Sequence, residues 1–498
     1  MLKRKKLKLN TSRNLQDEME DFDIGAKKNK ASRNRETNLI SFMFIALFLF
    51  MCVYIVNFSL FKAGNIVNNP YNKLIDLMEA KVERGRILSA DGQVLAQTVS
   101  DDNGADVREY PYASLYCHVV GSKYLKTGVE RIADYSLIST SGNLLDEISY
   151  DLSASKPQGR DVVTSLRPSL QKAAYNALGT NKGAVIAMNP KTGQIYCMVS
   201  KPDYDPNQAS AMYDTWTSYE SKDSVLINRA TQGLYSPGST FKILTTLEYM
   251  RENPDYDSFS YICQGKASLP MGTTIPCYNN EVHGKESLLD AFANSCNSAY
   301  ATLGAGLDRE KFKKLCQTAL FNKKIEINMD AGVSSFTLDE DSSISEAMET
   351  GIGQGNTMIS PIHNLMLISA IANKGVMMRP YLVTQIQSRS GSVISKTSPS
   401  EYSRLCTSEE AEKIAEYARA VVTQGTGYAF TYASYDVAGK TGTAQFDDSS
   451  DLVHSWFVGF APYEDPEISI CVVLEGGYTG VPGSQQVAKA VLDAYFEK

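Results

Sequence analysis

Histidine is scarce in this chain of 498 residues: there are four, His118, His283, His363 and His454, and they are dispersed. A histidine-activated nucleophile needs an imidazole placed beside a Ser or Cys, and nothing in the sequence indicates such a pair. Each histidine is read as structural or surface. The nine cysteines lack the spacing that marks a zinc-ligand set, so no metal and no other cofactor is expected. Positive charge is short where a nucleic-acid protein needs it. Residues 1–36 hold eleven Lys/Arg and six Asp/Glu, leaving 38 and 50 elsewhere, a net of −12. An acidic body of that kind argues against nucleic acid as a partner. No internal repeat or long low-complexity segment is present.

One long apolar run is present. Leu39–Phe61 carries no charge and is long enough to span a bilayer. The basic segment before it places the N-terminus in the cytoplasm and the bulk of the chain outside the cell membrane. A cleaved signal peptide is the rival reading, but the run exceeds the roughly 7–15 apolar residues of such a signal and no clear cleavage site follows. The reading adopted is an uncleaved single-pass anchor in contact with membrane lipid, with Cys52 inside it. Four parts follow: a polar cytoplasmic tail, 1–37, expected to lack structure; a transmembrane helix, 38–61; a small membrane-proximal pedestal of strands and helices, 62–157; and a large domain, 158–498, beginning near Pro157-Gln158-Gly159. Cys263 and Cys277 flank a Gly-containing loop before His283-Gly284. A disulfide in an oxidising compartment and two free thiols are both compatible with that spacing.

Three short motifs carry the chemistry. Ser239-Thr240-Phe241-Lys242 follows Tyr235-Ser236-Pro237-Gly238, then come Ser295-Cys296-Asn297 and Lys440-Thr441-Gly442-Thr443. Ser-x-x-Lys, Ser-x-Asn and Lys-Thr-Gly in that order define a serine acyl-transfer site. Each motif alone is weak, since Ser59…Lys62, Ser153…Lys156, Ser141-Gly142-Asn143 and Lys191-Thr192-Gly193 also match. Context separates them. Ser59 ends the apolar run, Lys156 is followed by a helix-disfavouring Pro157, and Lys191-Thr192-Gly193 reads as a turn between two strands. Ser239 instead opens a helical pattern in which Ile243, Leu247 and Met250 form one stripe.

A serine hydroxyl needs a base to become a nucleophile. Lysine serves only if its pKa falls well below about 10.4, through burial or neighbouring positive charge. Lys242 lies one turn from Ser239, and Lys440 supplies a second positive charge. Ser295 is the candidate shuttle that delivers a proton to the leaving amine, and Asn297 a hydrogen-bond partner for the substrate amide. Lys440-Thr441-Gly442-Thr443 reads as a strand edge. Its Lys and Thr suit a substrate carboxylate, and its Gly would let a substrate backbone approach.

On these residues the chain resembles the class B penicillin-binding proteins, the monofunctional peptidoglycan transpeptidases of bacteria. Arg84-Gly85-Arg86-Ile87, Gly183–Gly193, Asn228-Arg229-Ala230, Gly353-Gln354-Gly355, Gly425-Thr426-Gly427 and Trp456–Pro462 extend the likeness in order over residues 80–498. The resemblance implies an α+β fold of the serine β-lactamase/transpeptidase type, an antiparallel sheet with helices on both faces. It implies a D,D-transpeptidase that cross-links stem peptides through a Ser239 acyl-enzyme with release of D-Ala and is inhibited by β-lactams. The oxyanion hole would be the backbone N–H groups of Ser239 and Thr443. A membrane glycan polymerase and other wall-assembly proteins would be its partners. The same acyl-serine chemistry also serves D,D-carboxypeptidases and β-lactamases, and a β-lactam sensor or scaffold is the non-catalytic rival. No Glu-x-x-Leu-Asn segment follows Ser295-Cys296-Asn297 to activate a hydrolytic water, as class A β-lactamases require.

Overall fold

The structure, a computed structural model, describes residues 14–58, 81–140, 156–218, 223–268, 274–445, 452–478 and 483–497. The chain divides into two compact units, Met1–Asn72 and Lys73–Lys498. In the first, helix α1 runs over Asn14–Asn57. Within it Thr37–Asn57 has a mean hydropathy of 2.8 and is long and apolar enough to cross a membrane. The tail was expected to lack structure, yet residues 14–36 continue the same helix. They are rich in Lys, Glu and Ala, good helix formers, and they extend a helix already nucleated by the apolar run, which removes the costly nucleation step.

The second unit is organised around a five-stranded antiparallel sheet: β1 (Gly183–Met188), β2 (Ile195–Lys201), β3 (Ala438–Gln445), β4 (Leu452–Ala461) and β5 (Ile468–Tyr478), in spatial order β3-β4-β5-β1-β2. Successive side chains on a strand face opposite ways, and here both faces are buried. Ala184, Ile186 and Met188 enter one core while Val185 and Ala187 enter the other. That is why the strand reads as an unbroken apolar run. One face is covered by helices α2 (Pro168–Leu178) and α7 (Gly483–Phe496); the other by α3 (Lys242–Glu252), α4 (Asn297–Gly306), α5 (Pro361–Ala372) and α6 (Ser408–Thr423). The ends follow local chemistry. Pro168 occupies the first turn of α2, and Thr407 with Glu410 forms a capping box that starts α6.

The expected boundary at residues 157–159 does not separate two sheets. A six-stranded sheet runs Val393–Lys396, Val383–Gln387, Asp161–Thr164, Ile87–Leu88, Val94–Ser100, Asp106–Glu109. The segment after 158 thus gives three of its six strands. Ile87–Leu88 pairs parallel with Val162–Val163. A parallel partner cannot follow through a tight turn, so the chain returns to this sheet after 158 and again after 383. Two arginines of the Arg-Gly-Arg segment hold this region. Arg84 bonds the buried Glu130 at 2.8 Å and Asp134 at 2.6 Å, and Arg108 reaches Glu130 at 2.7 Å. Burial alone would raise the Glu130 carboxyl, but Arg108 and Arg84 bring it below its usual range. Arg86 N donates to Asp161 at 2.9 Å, and its guanidinium binds the same carboxylate.

Candidate active site

The nucleophile segment is not the start of an α-helix. Gly238–Phe241 is a single 3-10 turn, and α3 begins at Lys242. In a 3-10 turn residues i and i+3 eclipse, so Ser239 and Lys242 still share a side. Gly238 has φ +53°, and a Cβ there would lie 2.6 Å from the carbonyl oxygen of Thr443. A Cβ on Gly442 would lie 3.0 Å from both Thr240 Cγ2 and Trp456 Cβ. The two glycines therefore let the Ser239 turn pack directly on β3. This contact alone demands a glycine at 442. Trp456 Nε1 donates to Ser236 O at 3.1 Å, and Asn364 Nδ2 to Thr240 Oγ1 at 3.0 Å, tying the turn from two further elements.

Four side chains predicted from sequence, Lys242, Ser295, Asn297 and Lys440, converge in one hydrogen-bonded group. Lys242 Nζ donates to Ser295 O at 2.7 Å and Asn297 Oδ1 at 2.8 Å, and lies 3.4 Å from Ser295 Oγ. Lys440 Nζ donates to Ser295 Oγ at 2.9 Å and Thr441 O at 3.2 Å. Ser295 therefore bridges the two lysines. It has φ +57°, a left-handed turn that leads into α4, where Asn297 is the first helical residue. Ser239 is nearly buried, and among the described residues its Oγ makes no hydrogen bond. Catalytic hydrogen bonds often form only once substrate is bound.

Both lysines are fully buried, with 0% exposure. Burial penalises the ammonium form and brings Lys242 down to about 7, although Cys296, Cys277 and Glu286 oppose the shift. Lys440 falls well below its ordinary value, first through burial and then through the charge of Lys242. Of the two causes expected to depress Lys242, burial is the one that acts on it, and the repulsion between the lysines falls on Lys440.

Among the described residues, strand β3 is an edge strand, paired only with β4. Its free edge carries unpaired backbone donors and acceptors, beside the side chains of Lys440, Thr441 and Thr443. Thr441 Oγ1 and Thr426 Oγ1 lie 2.6 Å apart. Thr426 was quoted only as part of Gly425-Thr426-Gly427; the polar residue between two glycines was the available signal for a site role. The competing motifs fall elsewhere. Lys191-Thr192-Gly193 is the turn between β1 and β2, and Ser153, Ser141 and Ser59 lie outside the described residues.

The dispersed cysteines are also brought together. Cys263 and Cys277 have Sγ atoms 3.6 Å apart as separate thiols, Cys277 and Cys296 3.7 Å, and His283 Nδ1 lies 3.4 Å from Cys263 Sγ. His283, read from sequence as structural or surface, packs its ring against Cys263 with a side chain 9% exposed.

A buried Ser-x-x-Lys turn packed on an edge strand, with a Ser-x-Asn loop bridging two lysines, is the arrangement of an acyl-serine transpeptidase, and the chain belongs to the penicillin-binding protein family. Residues 183–495 match the penicillin binding protein transpeptidase domain and residues 84–162 the penicillin binding protein A dimerisation domain. Its relatives place it among the class B proteins. The chain is 32% identical over 450 residues to the peptidoglycan D,D-transpeptidase PbpA of Mycolicibacterium smegmatis, covering 84% of this chain and 89% of that one. Penicillin-binding protein A from M. tuberculosis, solved as a ceftriaxone acyl-enzyme complex, superposes with a TM-score of 0.76 at 26% identity, covering 85% of this chain and 100% of that one. The D,D-transpeptidase domain of a peptidoglycan glycosyltransferase from Eggerthella lenta gives 0.74 at 30% identity, with 84% and 99% covered.

Proposed function

We propose that this chain is a membrane-anchored peptidoglycan D,D-transpeptidase in which Ser239 is the nucleophile and Lys242 its base. The observation that carries the reading is the hydrogen bonding of Lys242. A neutral amine has two N–H groups and one lone pair. The two short contacts, to Ser295 O and Asn297 Oδ1, occupy both N–H groups and leave the lone pair to accept a proton from Ser239.

A stem peptide ending in D-Ala-D-Ala lies along the free edge of β3, as an added strand does. Lys440, Thr441 and Thr443 face its terminal carboxylate. Ser239 Oγ attacks the penultimate carbonyl and passes its proton to Lys242. The tetrahedral oxyanion is held by the backbone N–H groups of Ser239 and Thr443. As the C–N bond breaks, the proton moves from Lys242 through Ser295 Oγ to the leaving D-Ala nitrogen. An acceptor amine then attacks the ester, releasing Ser239 and forming the cross-link. β-Lactams enter at the first step and stall at the ester.

The test uses the full chain in detergent micelles with a synthetic stem peptide and an amine acceptor. D-Ala release matched by amide product is expected, with a penicillin adduct that persists for many minutes after free drug is removed. Release of free acid alone, despite excess amine, would make the chain a D,D-carboxypeptidase. An adduct turning over many times per second would make it a β-lactamase.

The basic segment before the apolar helix supports a cytoplasmic N-terminus and a catalytic unit outside. Protease added to intact protoplasts is then expected to remove the region beyond residue 62; digestion of the tail alone would reverse that topology. A membrane glycan polymerase that supplies uncross-linked strands is the partner this reading requires.

A further inference from the structure

Cys263, Cys277, His283 and Cys296 stand beside the site just described, and the chemistry proposed above uses none of them. They come from the end of one short strand (Tyr261–Cys263), the loops before and after Tyr278–Asn280, and the N-cap of α4. Their donor atoms all lie within 4.8 Å of one another. The three cysteines are buried, and the His283 side chain is 9% exposed. We propose that these four residues bind a single tetrahedral Zn²⁺ ion that fixes the Ser-x-Asn loop.

Geometry is the first support. With Zn–S near 2.3 Å and Zn–N near 2.0 Å, a tetrahedron has edges of about 3.8 Å between sulfurs and about 3.5 Å from sulfur to nitrogen. The sulfurs here are 3.6 and 3.7 Å apart and the imidazole nitrogen 3.4 Å from sulfur. A disulfide would engage only two of the three sulfurs and leave the third, and the imidazole, without a task.

The surroundings of the sulfurs are the second support. Gly265 N donates to Cys263 Sγ, Ser298 N to Cys277 Sγ and Ala299 N to Cys296 Sγ, each at 3.4 Å. Each sulfur thus receives one backbone N–H, the kind of outer contact that holds metal-ligating cysteines in place. Gly265 has φ +87°, which folds the Cys263-Gln264-Gly265 turn back onto its own sulfur. Nδ1 of His283 faces the cluster, and Nε2 points away from it, 3.8 Å from the exposed Glu281 carboxylate.

The donor set selects the ion. Three thiolates and an imidazole are soft ligands that exclude Mg²⁺ and Ca²⁺ and suit Zn²⁺ in a closed, four-coordinate structural site. Binding releases the three thiol protons to solvent. Position gives the role. Cys296 lies between Ser295 and Asn297, and Asn297 Nδ2 donates to Pro276 O, next to Cys277, at 3.1 Å. The ion would therefore pin both polar residues of the loop to the small β-structure that carries Cys263 and Cys277.

The experiment begins with elemental analysis of the full chain, purified in detergent without chelator and also after thiol reduction, zinc addition and desalting. About one zinc per chain is expected, released in step with the blocking of three thiols by a mercurial. That readout needs no variant. Cys263→Ser and His283→Ala are expected to lower zinc content at least tenfold, whereas His283→Cys, which offers a fourth thiolate, retains it. Three results would overturn the site: no zinc after reduction and reloading; iron in its place; or undiminished zinc in both Cys263→Ser and His283→Ala.

Discussion

Ser239→Ala is expected to abolish covalent labelling of the chain by a fluorescent penicillin. In the native chain, digestion is expected to place the adduct on the peptide that carries Ser239. The expectation rests on the turn at Gly238–Phe241, which holds this serine against β3 and beside two buried lysines. Loss of the nucleophile in a serine acyl-transfer site costs on the order of 10⁶ in rate, so no partial effect is foreseen. Alanine leaves the turn's backbone intact, and an unchanged thermal midpoint would show that the fold has survived. Labelling that persists in this variant, or an adduct mapped to Ser153, would remove Ser239 from its role.

Lys242→Arg is expected to slow acylation by about 10²–10⁴-fold, the usual contribution of a positioned general base. Arginine keeps the charge but does not deprotonate in a protein. The pH profile separates this role from simple packing. Burial brings Lys242 down to about 7, so the amine is free to accept a proton above that pH and is blocked below it. Acylation of the native chain should therefore rise as pH increases through about 7 and level off above. The arginine variant should lack that rise. A folded variant with near-native acylation, or a native profile flat from pH 5 to pH 9, would exclude Lys242 as the base.

The three motifs were legible because each is a local pattern whose chemistry is fixed by residue type. The start of the helix Ser408–Thr423 is legible in the same way, since Thr407 and Glu410 spell out its capping box. Four strands of the main sheet, β1, β2, β4 and β5, are legible from their apolar runs, whereas β3 is legible only through its Lys-Thr-Gly motif. Ser239 was misplaced onto an α-helix because i,i+3 spacing fits a 3-10 turn equally well, and only the backbone distinguishes them. The Cys/His cluster was only partly legible: Cys263, Cys277 and His283 stood out as neighbours of one loop, but Cys296 did not. Cys263 is fourteen residues from Cys277 and twenty from His283, and no local element brings them together; the fold does. The six-stranded sheet was missed because Ile87–Leu88 is too short to carry a periodicity, and because its partners arrive from Val162–Val163 and, beyond them, Val383–Gln387.

That last sheet also sets the order of assembly. Thr384 Oγ1 donates to Val163 O at 3.0 Å across 221 residues of chain. The strands at Ile87–Leu88 and Val94–Ser100 are synthesised early, yet their sheet remains incomplete until the hairpin at residues 383–396 has been made. During synthesis the nascent chain carries an open edge at Asp161–Thr164 for as long as it takes to add more than two hundred residues. Such edges pair readily with other chains, and long-range pairings of this kind form slowly. Closing that edge is therefore a long-range event that waits for the last third of the protein.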